Sequence, residues 1–260
     1  MKICVAQPKP VKADIQSNIA NHKRLMELAY SHGAEAVFFP ELSLTGYEPA
    51  LSQELASTPD DHRFGDFQRI ADTRQVLIGV GVPTRNHQGV CISMVIFQPR
   101  QSRQVYSKKY LHPDEEAFFV AGRSSTGLIG RKTNLALAIC YELSIPEHAE
   151  GAFKSGAEIY VASVAKSTKG VEQASRRLSE IAKSYAMTVL MSNCIGPCGG
   201  IDCAGQSSIW NSQGLLIGHL NGSNEGILMI DTQTQEIFAS TPQRGPAAQN
   251  SIVSGFGGSS

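Results

Sequence analysis

The pentapeptide Gly33-Ala-Glu-Ala-Val37 has an echo at Gly156-Ala-Glu-Ile-Tyr160. Each follows a stretch with helical spacing of apolar residues, and each opens a short apolar run of the kind that forms a buried strand. A helix stop that is also a strand start, used twice in one chain, predicts two similar halves of alternating strand and helix. No linker, charge block or low-complexity stretch separates them. The expectation is therefore one α/β domain over residues 1–260.

The first half reads as a strand at 3–7, then a helix capped by Asp14 and running to 31. That helix carries Ile15, Ile19, His22, Met26 and Ala29 on one face and stops at Gly33. A strand at 36–39 ends at Pro40-Glu41. A second helix is expected between 53 and 73. Strands at 76–82 and 90–97 meet across a hairpin connection at 84–89, and a further strand covers 103–108. The second half reads as a strand at 134–139 and a helix at 146–155 with proline near its first turn. A strand at 158–162, a helix at 171–185 and a strand at 188–192 follow, with later strands at 207–210, 215–218 and 226–230. After Ile237 the periodicity ends, so the tail either wanders or packs on a partner subunit.

Lys plus Arg and Asp plus Glu number 23 each, so no charge excess favours a nucleic acid or an anionic membrane as partner. No apolar run approaches a transmembrane helix in length, and the opening Met1-Lys-Ile-Cys reads as a first strand rather than a signal segment. A cytoplasmic protein is the expectation. The six cysteines show no disulfide-framework spacing and are read as reduced thiols. Cys194, Cys198 and Cys203 lack the Cys-x-x-Cys pairs of zinc knuckles, so they are read as part of a Gly- and Cys-rich loop near a site, with metal binding as the alternative.

Three stretches carry chemistry. In Phe38-Phe-Pro-Glu41-Leu-Ser-Leu-Thr-Gly-Tyr47 a carboxylate directly follows a buried strand. In Tyr106-Ser-Lys108-Lys-Tyr-Leu111 a lysine pair closes another. In Cys140-Tyr-Glu-Leu-Ser-Ile-Pro-Glu147 a thiol sits where a strand turns into a helix, the edge at which α/β proteins place their chemistry. Alone, each has a bland reading: a loop glutamate, a solvated strand end, a core cysteine.

Together, in this order, they resemble the nitrilase, or carbon–nitrogen hydrolase, superfamily. Phe39-Pro-Glu41 with Thr45-Gly46-Tyr47 matches its glutamate motif. Tyr106, Lys108 and Leu111 match its lysine motif, with Tyr110 where histidine is common, and that register selects Lys108 over Lys109. Glu116, ahead of Phe118-Phe119 and Gly122, fits a second glutamate. Cys140, Tyr141, Glu142, Pro146 and Glu147 match the cysteine motif, with Ser144 in place of the usual arginine and Ile145 in place of phenylalanine. Ser192-Asn193, Gly196 and Gly205-Gln-Ser207 match later segments, so the resemblance spans residues 3 to about 231.

The resemblance implies a four-layer α-β-β-α sandwich with pseudo-twofold halves and a homodimer or higher homo-oligomer. The dimer would form near the 146–155 helix, with residues 240–260 crossing to the partner. It implies a hydrolase of small amides that needs no cofactor and no metal. Cys140 would attack the carbonyl carbon to form an acyl-enzyme. Glu41 would be the general base, and Lys108 would meet the oxyanion. Glu116 would orient these groups, and Tyr47, Tyr141 and Glu142 would line the substrate site. An N-carbamoyl amino acid hydrolase or a nitrilase would use the same machinery. Readings of a different class are a non-enzymatic binding relative and a metal or redox protein built on Cys194, Cys198 and Cys203. A carboxylate-bearing substrate would call for a cation, with Arg123, Lys166, Arg176 and Arg177 as candidates.

Overall fold

The computed structural model describes residues 1–123, 128–129 and 134–242. Strand β1 (Lys2–Gln7) leads to helix α1 (Ile15–Ser31), whose start is held by Asp14 Oδ1 accepting from the Ser17 amide at 3.0 Å. The expected apolar face, Ile15, Ile19, His22, Met26 and Ala29, is buried. β2 (Ala36–Phe38) follows. The single helix expected over 53–73 is instead two: a short α2 (Ser52–Leu55) and α3 (Gly65–Arg74). Pro59 lies between them, where a ring without an N–H cannot continue a helix, and Asp61 caps a separate turn through the Arg63 amide. Then come β3 (Leu77–Asn86), β4 (Gly89–Phe97) and β5 (Gln104–Ser107).

The second half runs β6 (Leu135–Ile139), α4 (Pro146–Lys154), β7 (Ile159–Val164), α5 (Thr168–Tyr185) and β8 (Thr188–Asn193). A hairpin of β9 (Ile195–Cys198) and β10 (Ile201–Ala204) occupies the stretch read as a loop. The chain continues through β11 (Ser208–Trp210), β12 (Leu216–His219), β13 (Gly226–Asp231) and β14 (Ile237–Ser240). β14 corrects the sequence reading, because residues 237–240 pair with β13 of their own chain. Of the tail expected to cross to a partner, residues 240–260, Ser240 belongs to β14 and residues 243–260 lie outside the described residues.

One sheet has seven strands in the order β14-β13-β1-β2-β3-β4-β5, and the other has five in the order β12-β11-β8-β7-β6. Three apolar clusters separate the layers. Phe39, Phe67 and Met26 pack between the seven-stranded sheet and helices α1 and α3. Phe38, Ile92, Leu137 and Leu190 fill the space between the sheets. Ala149, Leu178 and Tyr160 lie between the five-stranded sheet and α4 and α5. The order is thus helix, sheet, sheet, helix. Phe38 and Phe39, both wholly buried, face opposite layers because successive strand residues alternate. Truncating either to alanine should cost about 3–5 kcal/mol.

The echo in the sequence is an echo in the backbone. Gly33 and Gly156 both have positive φ, 82° and 89°. The Ala34 amide bonds to Ala29 O and the Ala157 amide to Ala152 O. Glu35 then receives Leu77 and gives to Lys2, while Glu158 receives Thr188 and gives to Asn134. The same three-bond pattern thus seats β2 between β1 and β3, and β7 between β6 and β8. The sheets are joined at the C-terminal ends of these strands, where Ser163 Oγ donates to Phe39 O and Ser192 Oγ to Ala6 O, both at 2.7 Å. Among the described residues no helix is long and apolar enough to cross a membrane.

Candidate active site

Pro40 ends β2 and forces the chain into a buried turn. A Cβ on Gly81 would lie 2.1 Å from Pro40 O, so β3 carries no side chain where that turn rests on it. Leu42 sits at φ 49°, and the Leu44 amide reaches Gly81 O at 3.1 Å. These constraints direct Glu41 inward, where it is 1% exposed. Lys108 follows β5. Its amide donates to Ile92 O at 2.8 Å and its carbonyl accepts from the Gly122 amide at 2.7 Å. Cys140 follows β6 and opens a tight turn over Cys140–Ser144 with φ 44°. A non-glycine residue in that region is strained, a conformation kept where the surroundings enforce it and common at reactive positions.

The three side chains converge from both sheets. Lys108 Nζ, with no exposed surface, lies 2.8 Å from Glu41 Oε1 and 2.7 Å from Glu115 Oε1. Glu116, the residue expected there, is exposed to solvent, and Glu115 takes the place. The reason is local. Pro113 starts a short turn capped at His112, and Glu115, at its third position, bends back so that Oε2 accepts from the His112 amide at 2.8 Å. Tyr47 Oη donates to the same Glu115 Oε1 at 2.9 Å.

Glu142 is also placed differently from expectation. It is fully buried. Oε1 accepts from the Lys109 amide at 2.6 Å, and Oε2 accepts from the Ile139 amide at 2.8 Å and from Tyr106 Oη at 2.7 Å. His148 Nε2 lies 2.8 Å from Tyr106 Oη. With its oxygens so engaged, Glu142 braces the lysine segment against the cysteine turn rather than facing a substrate. Tyr141 is half-buried, edge-on to the His112 ring at 5.2 Å. Of the candidate cations, Arg123 and Arg176 are exposed. Arg177 donates to Leu143 O at 3.1 Å, reaching from α5 the stretch in which Ser144 replaces the usual arginine. Lys166 is half-buried and close enough to Cys140 to favour its thiolate.

Burial raises the Glu41 pKa, and the Glu115 charge adds to this, while the Lys108 ammonium and the Cys140 thiol oppose it. Among the described residues Glu41 Oε2 accepts no hydrogen bond of ordinary geometry. Burial also raises Cys140, as does the Glu41 charge, against Lys166, Lys108 and the Ala165 amide. For Lys108 burial disfavours the charge, but Glu41, Cys140 and Glu115 outweigh it and the pKa moves up. The arrangement sets a cation favoured by its neighbours beside a thiol and a carboxyl group that both hold a proton more tightly than usual.

The sequence profile described as carbon-nitrogen hydrolase matches residues 2–240, and the chain belongs to that family. It is an enzyme of the class that acts on carbon–nitrogen bonds other than peptide bonds. A hydrolase encoded in the agr operon of Staphylococcus aureus is 27% identical over 245 residues, covering 91% of this chain and 93% of that protein. An (R)-stereoselective amidase of a Pseudomonas species is 26% identical over 166 residues, covering 62% of this chain and 59% of its own length. Among solved structures, an amidase from Nesterenkonia sp. superimposes with a TM-score of 0.81 at 24% identity, covering 89% of both chains. Mutants of the Nesterenkonia sp. AN1 amidase have been solved with acrylamide added at the active-site cysteine and in complex with butyramide, the latter at 23% identity and TM-score 0.81, covering 90% of this chain and 92% of that one.

Proposed function

We propose that the protein hydrolyses a small amide through an acyl-enzyme on Cys140. The observation that carries this reading is the bridging of Glu41 and Glu115 by the buried Lys108 ammonium beside a thiol on a strained turn. Cys140 attacks the carbonyl carbon while Glu41, made a stronger base by burial, takes the thiol proton. Lys108, with a backbone N–H of the Cys140 turn, stabilises the oxyanion. Glu41 then gives the proton to leaving ammonia and takes one from water; the hydroxide adds to the acyl carbon, the C–S bond breaks to release the acid, and the Glu41 proton returns to the Cys140 sulfur. Glu115 holds Lys108 in position, Tyr47 holds Glu115, and Glu142 holds the turn. The amide ligands of the Nesterenkonia amidase support the substrate class.

Amides are expected to react and nitriles not. A nitrile must pass from a linear carbon through a thioimidate, whereas an amide reaches directly the tetrahedral oxyanion that Lys108 meets. Ammonia release across aliphatic amides, ω-amides of dicarboxylates, N-carbamoyl amino acids and nitriles tests this, with Cys140→Ala as the inactive control. A nitrile turned over as fast as its matching amide would overturn the reading. A single chloroacetamide adduct at Cys140, read by mass spectrometry of the intact protein, would separate the hydrolase from a binding protein.

Lys166 favours a second reading within the class, because a half-buried cation beside Cys140 suits a substrate with a carboxylate. Lys166→Met should then raise KM for an ω-amide or an N-carbamoyl amino acid and leave that for a neutral amide unchanged. Equal effects on both would return the preference to neutral amides.

A further inference from the structure

Cys194, Cys198 and Cys203 are buried, and their sulfur atoms all lie within 4.8 Å of one another. The reaction described above uses none of them. Their spacing in sequence hides the cluster because the hairpin, not a knuckle, assembles it. Cys203 pairs with Gly196, and Cys194 and Cys198 flank that position two residues to either side, so strand alternation brings the three thiols to one face. Among the described residues no histidine or carboxylate joins them.

The hairpin has little else beneath it. β9 and β10 form a sheet of two strands, which in isolation is marginal in water. The apolar cluster under it consists of the three cysteines and Ala165, with Tyr47 and Ile201 partly buried. Yet its position is tightly defined. A Cβ on Gly199, at the hairpin tip, would lie 1.8 Å from Tyr47 O, and the Gly199 amide reaches Glu48 Oε1 at 3.2 Å. The Tyr47 amide donates to Cys198 Sγ at 2.8 Å, an outer-shell bond of the kind that orients metal ligands.

We propose that Cys194, Cys198 and Cys203 form a structural three-thiolate site for a thiophilic divalent cation of the zinc class, which staples the β9–β10 hairpin onto Tyr47. Sulfurs held about 2.3 Å from a tetrahedral zinc stand about 3.8 Å apart, so a contraction of roughly 1 Å or less completes the site. On binding, three S–H protons leave to solvent as three sulfur–metal bonds form, and one coordination position remains for a solvent ligand. A divalent ion leaves the buried site with one net negative charge, whereas a monovalent copper ion would leave two, which burial disfavours more strongly. The staple acts on the reaction centre from a distance: Cys198 holds the Tyr47 amide, Tyr47 holds Glu115, and Glu115 holds Lys108.

The test uses the full chain, reduced with a phosphine, stripped with a chelator and titrated anaerobically with cobalt(II), then zinc(II). The expected result is one equivalent bound, with near-ultraviolet thiolate-to-cobalt charge transfer and the visible bands of a tetrahedral centre, both bleached by zinc. Zinc should raise the midpoint of thermal unfolding by several degrees. Cys140→Ala should keep the spectrum, and Cys194→Ser, Cys198→Ser and Cys203→Ser should each lose it with circular dichroism unchanged. Should those serine variants fail to fold, maleimide mapping of the wild-type chain decides: zinc should slow labelling of these three thiols and not of Cys140. Absence of stoichiometric binding, loss of the spectrum in Cys140→Ala, or a disulfide within the cluster in the purified chain would each overturn the proposal.

Discussion

Glu115 Oε1 lies 2.7 Å from Lys108 Nζ while its neighbour Glu116 faces solvent. Glu115→Gln should lower kcat by about 10²-fold, the low end of what a group tied to proton transfer contributes, and Glu116→Gln should leave it unchanged. The Glu115 charge raises the Glu41 pKa, so its removal should also shift the acid limb of the pH–rate profile to lower pH. Steady-state kinetics over a pH series checks both effects.

Lys108 and Lys109 are adjacent but differently used. The Lys109 ammonium lies over the Tyr110 ring at 5.1 Å, and only its backbone amide enters the site, through Glu142. Lys108→Ala should lose about 3–4 kcal/mol of transition-state stabilisation, as for one oxyanion donor. Lys109→Ala should retain most activity. The comparison of kcat/KM for the two variants against the parent reads this directly.

What the sequence made legible is what local chemistry encodes. Asp14 before a run with helical period names the start of α1, and Glu41 and Cys140 fall at strand ends because apolar runs stop there. Glu115 was missed because Asp114, Glu115 and Glu116 are consecutive acids and the resemblance alone does not choose among them. A signal was present: histidine, proline, then glutamate two residues further on is the pattern of a capped turn, and it selects Glu115. The β9–β10 hairpin had a partial signal, since Gly199-Gly200, both at positive φ, form its two-residue turn. The strands on either side did not stand out, because Ile195-Gly-Pro-Cys198 holds a glycine and a proline and lacks apolar alternation.

His22 is buried between Asn18 O at 2.7 Å and Ser43 Oγ at 2.9 Å and stacks on Phe39. Burial lowers its pKa to about 3, against the partial support of Asn18. Above pH 6.5 both folded and unfolded states hold it neutral, so its contribution is complete. As pH falls below that, the unfolded chain takes up the proton first, and stability drops by about 1.4 kcal/mol per pH unit until the folded pKa is reached. Denaturant unfolding between pH 7 and pH 4 should show this slope, and His22→Gln, which has no proton to gain, should flatten it.

We expect a dimer through the α4 face. Phe153 is 49% exposed there, and its ring lies 5.3 Å from that of Tyr185. Sedimentation at micromolar concentration should report a dimer, and Phe153→Arg should shift it to a monomer. A chain shortened at residue 240 tests whether the tail contributes to the association.

Glu41 and Lys108 hang from the seven-stranded sheet and Cys140 from the five-stranded one. These three side chains therefore straddle a seam, fastened by Ser163 and Ser192 reaching across to the carbonyls of Phe39 and Ala6. Slippage of one sheet over the other by a fraction of an ångström would leave every strand paired and every helix intact, yet would separate the proposed base from the proposed nucleophile. Turnover should thus gauge how the two sheets are seated, failing under mild denaturant at concentrations where the far-ultraviolet circular dichroism of both sheets persists.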